Sequence, residues 1–159
     1  MRVLANLIQK VFWLLAAGVI TMPVFSCSGT RPADLGVKDG RLLPCPASPN
    51  CVSSDAPDPA HSVAPFQLVV PSTDGWRAAR TAIDGLPRTK IITSTDDYLH
   101  AECSSAVFGF VDDLELHLRR GENLIAVRSA ARLGHGDFGV NRKRVEQLRA
   151  LLLRQGVVG

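Results

Sequence analysis

Tyr98-Leu99-His100-Ala101-Glu102-Cys103-Ser104 and Val107-Phe108-Gly109-Phe110-Val111-Asp112-Asp113-Leu114-Glu115-Leu116-His117-Leu118 are the two stretches whose alternation decides the fold. Successive side chains of a strand point to opposite faces, so a period of two separates a core face from a polar face. In the first stretch Leu99, Ala101 and Cys103 take one face, and Tyr98, His100 and Glu102 the other. In the second, Phe110, Leu114, Leu116 and Leu118 are the apolar partners, while Asp113, Glu115 and His117 face away. Working outward, Thr89–Thr93 reads as a strand that turns at Ser94–Asp97 into the first stretch. Arg120-Gly121-Glu122-Asn123 turns the second into a strand over Leu124–Ala131, with Ile125 and Val127 toward the core and Arg128 on the polar side. Connections this short imply an antiparallel four-stranded meander.

Two helices flank the strands. Ser72 or Thr73 is the expected cap of a helix over Gly75–Asp84, in which Trp76, Ala79 and Ile83 share a face and Gly85 with Pro87 ends the run. A second helix, about Asn141–Arg154, carries Val145, Leu148, Leu151 and Leu152 as its apolar stripe. The expected class is α+β, with both helices packed on one face of the meander. Residues 42–71 hold seven prolines and little periodicity, so they read as an irregular arm ahead of the regular part. Residues 42–155 then make a single domain.

The start of the chain sets an address. Arg2 and Lys10 precede an apolar block, Val11–Ile20, too short to span a bilayer and interrupted by Thr21 and Pro23. Val24-Phe25-Ser26-Cys27 resembles a bacterial lipobox, so residues 1–26 read as an export signal and Cys27 as a lipidated N-terminus. Ordinary cleavage to a free protein is the alternative. Residues 27–41 read as a tether, and the domain is expected on the periplasmic side of the cell envelope, with the membrane as partner through Cys27. The net charge of +3 falls to +1 once Arg2 and Lys10 leave with the signal. A nearly neutral exported domain gives no electrostatic case for nucleic acid.

An oxidising compartment favours a local disulfide between Cys45 and Cys51, which sit in Pro44-Cys45-Pro46-Ala47-Ser48-Pro49-Asn50-Cys51. A metal site or redox pair is the rival reading, but CxxC spacing is absent and no histidine lies nearer than His61. Cys103, on the apolar face of its strand, reads as a small buried residue.

Two features break local rules. Asp112 falls by parity on the apolar side, where a carboxylate needs a partner; Arg128 or backbone donors are candidates. Arg142, Lys143 and Arg144 place three cations in the first turn of the last helix, where the helix dipole favours anions. Guanidinium groups there suit a bound carboxylate or phosphate; alternatively, Arg142 pairs with Asp137 or Asp112 and locks the loop. No G-x-S-x-G, H-E-x-x-H, Walker or G-x-G-x-x-G motif is present, and nothing calls for a cofactor or a metal. His100 is the best base by residue type for a hydrolase, and Ser48, Ser53 and Ser54 are the serines near the disulfide arm.

Five motifs in order carry a resemblance to a known family: the Pro44–Ser54 stretch, Tyr98–Glu102, Phe108–Asp113, Val127-Arg128-Ser129-Ala130, and Gly139–Glu146. Together they resemble the bacterial domain of unknown function 1499, from about Leu42 to Leu152. The resemblance implies boundaries and fold, and no activity. The leading expectation is a non-enzymatic envelope domain whose sheet and last-helix N-terminus form a polar cleft for a small anionic ligand or an envelope partner. Arg128 and Arg142 would be its donors, with Asn141 capping the helix, Asp112 orienting the arginines, and His100 with Glu102 on the rim. The alternatives are the His100 hydrolase and a structural protein that pairs through an exposed sheet edge.

Overall fold

A computed structural model describes residues 28–159. The expected signal, residues 1–26, and Cys27 lie outside the described residues. In chain order the elements are β1 (Val37–Lys38), β2 (Arg41–Leu42), β3 (Cys51–Ser53), β4 (Phe66–Gln67), α1 (Ser72–Asp84), β5 (Thr89–Ser94), β6 (Tyr98–Ser104), β7 (Val111–Arg119), β8 (Leu124–Ala131) and α2 (Val140–Arg154). The class is α+β, and β5 to β8 form an antiparallel run in sequence order.

The main sheet has six strands rather than the four expected. β3 and β4 both pair antiparallel with β8, end to end along its outer edge, Cys51 opposite Ala130 and Phe66 opposite Ile125. The physical reason is the open edge: β8 presents unpaired backbone groups, and the proline-rich arm supplies two short strands between its prolines to satisfy them. Cys45 is disulfide-bonded to Cys51, the first residue of β3, with Cα atoms 5.6 Å apart. The opposite edge strand, β5, is bulged between Ile91 and Thr93, which blunts it as a pairing surface.

Both helices lie on the face that carries Leu99, Ala101, Cys103, Leu114, Leu116, Leu118, Ile125 and Val127, and their stripes complete one core with Trp76, Ala79, Ile83, Val145, Leu148 and Leu152. Helix α1 starts one turn earlier than expected: Ser72 is already helical and Pro71 holds the cap position without a side-chain bond. Gly75 is needed there, because a Cβ would come within 2.5 Å of Leu68. The long strand begins at Val111, not Val107. Gly109 has φ +64°, a conformation that leaves the strand, and Ser105 closes a loop by bonding both backbone groups of Phe110. Phe110 is therefore a half-exposed loop residue stacked near Phe108, not a core partner.

The polar face is not open to water. Residues 31–44, expected as a tether and the start of the arm, lie across it, with a β1–β2 hairpin turning at Asp39 and Gly40. Leu42 is buried there, and its N–H donates to Asp55, whose carboxylate also takes two bonds from Arg119. Among the described residues no helix is long and apolar enough to cross a membrane.

The arm's place in the core is testable at Phe66, fully buried, with the Arg149 guanidinium 4.9 Å above its ring. Phe66→Ala should cost about 3–5 kcal/mol in urea unfolding. A loss below about 1 kcal/mol would mean that β4 is not part of the packed unit.

Candidate functional site

Alternation along β6, β7 and β8 brings His100, Glu102, Asp113, Glu115 and Arg128 to one face, in cross-strand register: His100 opposite Glu115, Glu102 opposite Asp113, Glu115 opposite Arg128. Each charge is answered at hydrogen-bond distance. Glu115, with no exposed surface, accepts from the Arg128 Nη1 at 2.9 Å through Oε2, and from the Tyr98 hydroxyl at 2.8 Å and the Gly36 N–H at 2.9 Å through Oε1. Gly36 reaches it with φ +137°, which a side chain would resist. Arg132 grips Asp113 with Nε at 2.8 Å and Nη2 at 2.6 Å, and its Nη2 also reaches Glu102 at 2.6 Å. The His100 Nε2 meets the Asp113 Oδ1 at 2.7 Å, and Arg31 from the arm caps Glu102.

Burial opposes ionisation of Asp113, but the Arg132 and His100 contacts outweigh it and hold its carboxyl below the usual range. Glu102 is lowered in the same way, against burial, by Arg132 and Arg31. Burial, then the neighbouring Glu115, pushes the Tyr98 phenol well above its ordinary value, so Tyr98 stays a donor.

One group in this lattice is left over. Arg128 is 7% exposed, its one hydrogen bond among the described residues goes to Glu115, and its Nε has no partner. Arg128 lines a cavity of about 390 Å³ between the arm and the sheet, together with Asp34, Leu35, Leu43, Asp113 and Arg132. Because Nη1 is used by Glu115, the edge left free is Nε with Nη2, the pair of donors that grips a carboxylate or phosphate in a fork.

The remaining candidates lie on the opposite, helix-bearing face. Asp112 is paired with Arg144 at 2.7 Å, not with Arg128, and burial nevertheless pushes its carboxyl up. Arg144 also donates to Ser129 and Asn141. Arg142 turns outward and donates to the carbonyls of Ser62 and Ala60, each at 2.8 Å, tying α2 to the arm. The helix is capped by Asp137, whose Oδ2 accepts from the Asn141 N–H at 2.8 Å while Oδ1 takes the Gly139 N–H. Asn141 is buried inside the first turn, donating to Asn50 and Asp137. The three cations are tolerated because Arg142 and Arg144 reach away from the dipole to partners of their own. A second cavity, about 350 Å³, lies beside this cluster and is lined by Arg88, Cys103, Asp112, Lys143 and Arg144. Cys103 is a buried free thiol, raised in pKa by burial.

The six expected ligand residues thus do not share one concavity. His100, Glu102 and Arg128 lie under the arm, and Asp112, Asn141 and Arg142 lie across the sheet from them. Arg132 is the residue the sequence reading passed over, although extending the β8 alternation from Arg128 through Ala130 places it on the same face. Of the three cations in the α2 turn, Arg144 and not Arg142 is the partner of Asp112. Among the described residues the His100 ring hydrogen-bonds Asp113 and no serine; the Ser53 and Ser54 hydroxyls instead accept from the backbone N–H groups of Asp55 and Val127. Among the described residues no group of three or more His, Cys, Asp or Glu side chains is placed to hold a metal.

A family model described as "Protein of unknown function (DUF1499)" matches residues 41–152. Comparison with curated proteins and with solved structures gives no match. The matched span takes in the sheet, both helices, Arg128 and Arg132, and leaves Arg31 and Gly36 of the covering arm outside it.

The lattice has a pH signature. Asp113 is held below its ordinary 3.8, so its stabilisation is present above that value and is lost as pH falls through the lower folded value; Asp112, raised, runs the other way. Asp113→Asn removes the carboxylate that Arg132 grips with two nitrogens, leaving it only Glu102, and should cost about 3–5 kcal/mol at neutral pH. That penalty should shrink below pH 3.8 as the parent loses the same charge. A penalty that is small, or constant with pH, contradicts the arrangement.

Proposed function

Since the chain belongs to the DUF1499 family, whose description assigns no activity, we propose a reading from the site itself: an exported, membrane-anchored domain that binds a small anionic ligand. The observation that carries it is the unpartnered Nε of Arg128, more than nine-tenths buried, in a lined cavity. A guanidinium kept from water with part of its donor set unused favours an anion that supplies the missing acceptors. Arg128 is the donor. Glu115 fixes its orientation through Nη1 and leaves the other edge available.

Arg132 and Asp113 line the same cavity, and Glu102 and His100 hold them through hydrogen bonds. Their charges are already satisfied by one another, so they position rather than bind. Asp34, which lines the same cavity, disfavours large polyanions and favours a compact, singly or doubly charged ligand. Asp112, Asn141 and Arg142 are given to the α2 cap and its link to the arm. His100 is engaged by Asp113 and meets no nucleophile, so binding is favoured over hydrolysis.

Titration of the purified chain with inorganic phosphate and with succinate, followed by backbone amide shifts, tests the reading. Perturbation is expected at 128–132 and 34–35. Arg128→Lys keeps the charge facing Glu115 but lacks the planar fork, and should weaken binding about tenfold or more, equivalent to about 1.4 kcal/mol. Absence of shifts at those positions with either anion ends this reading.

A further inference from the structure

One end of the domain is apolar in a way the core does not require. Val107, Phe108 and Phe110 in the β6–β7 loop are exposed, with Phe108 at 63%; so are Leu133 and Phe138 in the β8–α2 loop, Phe138 at 98%. The two loops leave the same end of the sheet, because Ser104 pairs with Val111 and Asp112 with Ala131. Exposed aromatic tips clustered at one end are unusual for a surface that meets only water.

Two further observations say what covers them. The first is where the described chain begins. A Cβ on Gly29 would come within 2.9 Å of Leu133 and 3.0 Å of Arg132, so the backbone at Gly29 lies against the β8–α2 loop. Cys27 is two residues away, a reach of at most roughly 7 Å. The second is charge. Arg88 and Lys143 make no salt bridge among the described residues and line a cavity at this end. The acids beside them are consumed: Asp112 by Arg144, Asp137 by the N–H groups of Gly139 and Asn141. An apolar tip with unpaired cations behind it matches the layering of an anionic bilayer, acyl chains under negative headgroups.

We propose that the tips of the β6–β7 and β8–α2 loops, led by Phe108 and Phe138, insert into the surface of a bilayer bearing anionic headgroups and hold the domain end-on against it. The inference rests on the anchored reading of Cys27, since a lipid there places the bilayer at this end. It adds an orientation: the mouth of the arm-covered cavity stays at a fixed height above the membrane rather than swinging on a tether.

The test uses the chain as extracted from membranes, beginning at Cys27, reconstituted into phosphatidylethanolamine–phosphatidylglycerol vesicles with brominated acyl chains. Tryptophan is introduced by Phe108→Trp, by Phe138→Trp, and by Val69→Trp at the opposite end of the sheet as reference. Emission is read as the difference from the parent, whose Trp76 is common to all, Trp13 having left with residues 1–26 in the anchored form. The proposal expects the first two probes to be quenched about twofold or more relative to the third. It also expects the quenching to weaken when phosphatidylglycerol is omitted. If the chain floats with the vesicles but neither loop probe is quenched beyond Val69→Trp, end-on docking is overturned and anchoring stands. A chain that does not float overturns both. Loop probes protected by self-association in place of lipid would show the patch to be an interface between copies, which also overturns the proposal.

Discussion

The constraint on which the rest of this structure depends is the carboxylate of Glu115, buried with no exposed surface in the middle of a sheet. Removing a carboxylate from water is costly by several kcal/mol even after relaxation, and only donors in good geometry offset it. Three elements supply them: β8 through Arg128, β6 through Tyr98, and the arm through the Gly36 N–H. That last bond explains why residues 31–44 lie flat on the sheet. The arm closes a face that would otherwise present half-satisfied charges, and the charges in turn give an irregular segment specific places to bind.

The same logic runs on the other face on a smaller scale. Asp112 enters the apolar side at the start of β7, and α2 brings Arg144 to meet it. The cationic first turn of α2, unfavourable by dipole alone, is what makes that pair and the Arg142 link to the arm available. Asp137 offsets the dipole cost by capping the helix from the preceding loop, and the Asn141 and Gly139 donations that hold its carboxyl low against burial are the electrostatic measure of that cap. Charges that look misplaced one element at a time are paired when the elements dock.

Much of this was legible in the chain. Period-two alternation placed Leu99, Leu114, Leu116 and Val127 on one face and His100, Glu115 and Arg128 on the other, because strand geometry leaves little choice. Parity also put Asp112 on the helix side. What alternation cannot say is whether a polar face is wet. Burial of that face comes from a segment without periodicity, 71 residues from Glu102 at Arg31 and 79 from Glu115 at Gly36, whose contacts include single backbone groups such as the Gly36 N–H. The same non-locality hid β3 and β4: strands of three and two residues have no pattern to read, and exist because β8 offers them an edge. Phe110 was misplaced for a local reason, since Gly109 takes a left-handed conformation that interrupts an otherwise continuous apolar alternation. The unpartnered Nε of Arg128 is a property of packing alone.

The central claim is that the polar face is a mutually dependent ionic lattice in which Arg128 offsets the buried Glu115 through Nη1 and keeps its other edge free. A double-mutant cycle on that pair measures it most directly, comparing urea unfolding of the parent, Glu115→Gln, Arg128→Met and the combined variant. The account predicts a coupling of about 2 kcal/mol or more, with the double variant less impaired than the single losses summed. Losses that add to within about 0.5 kcal/mol would contradict it, leaving the two groups as neighbours rather than partners.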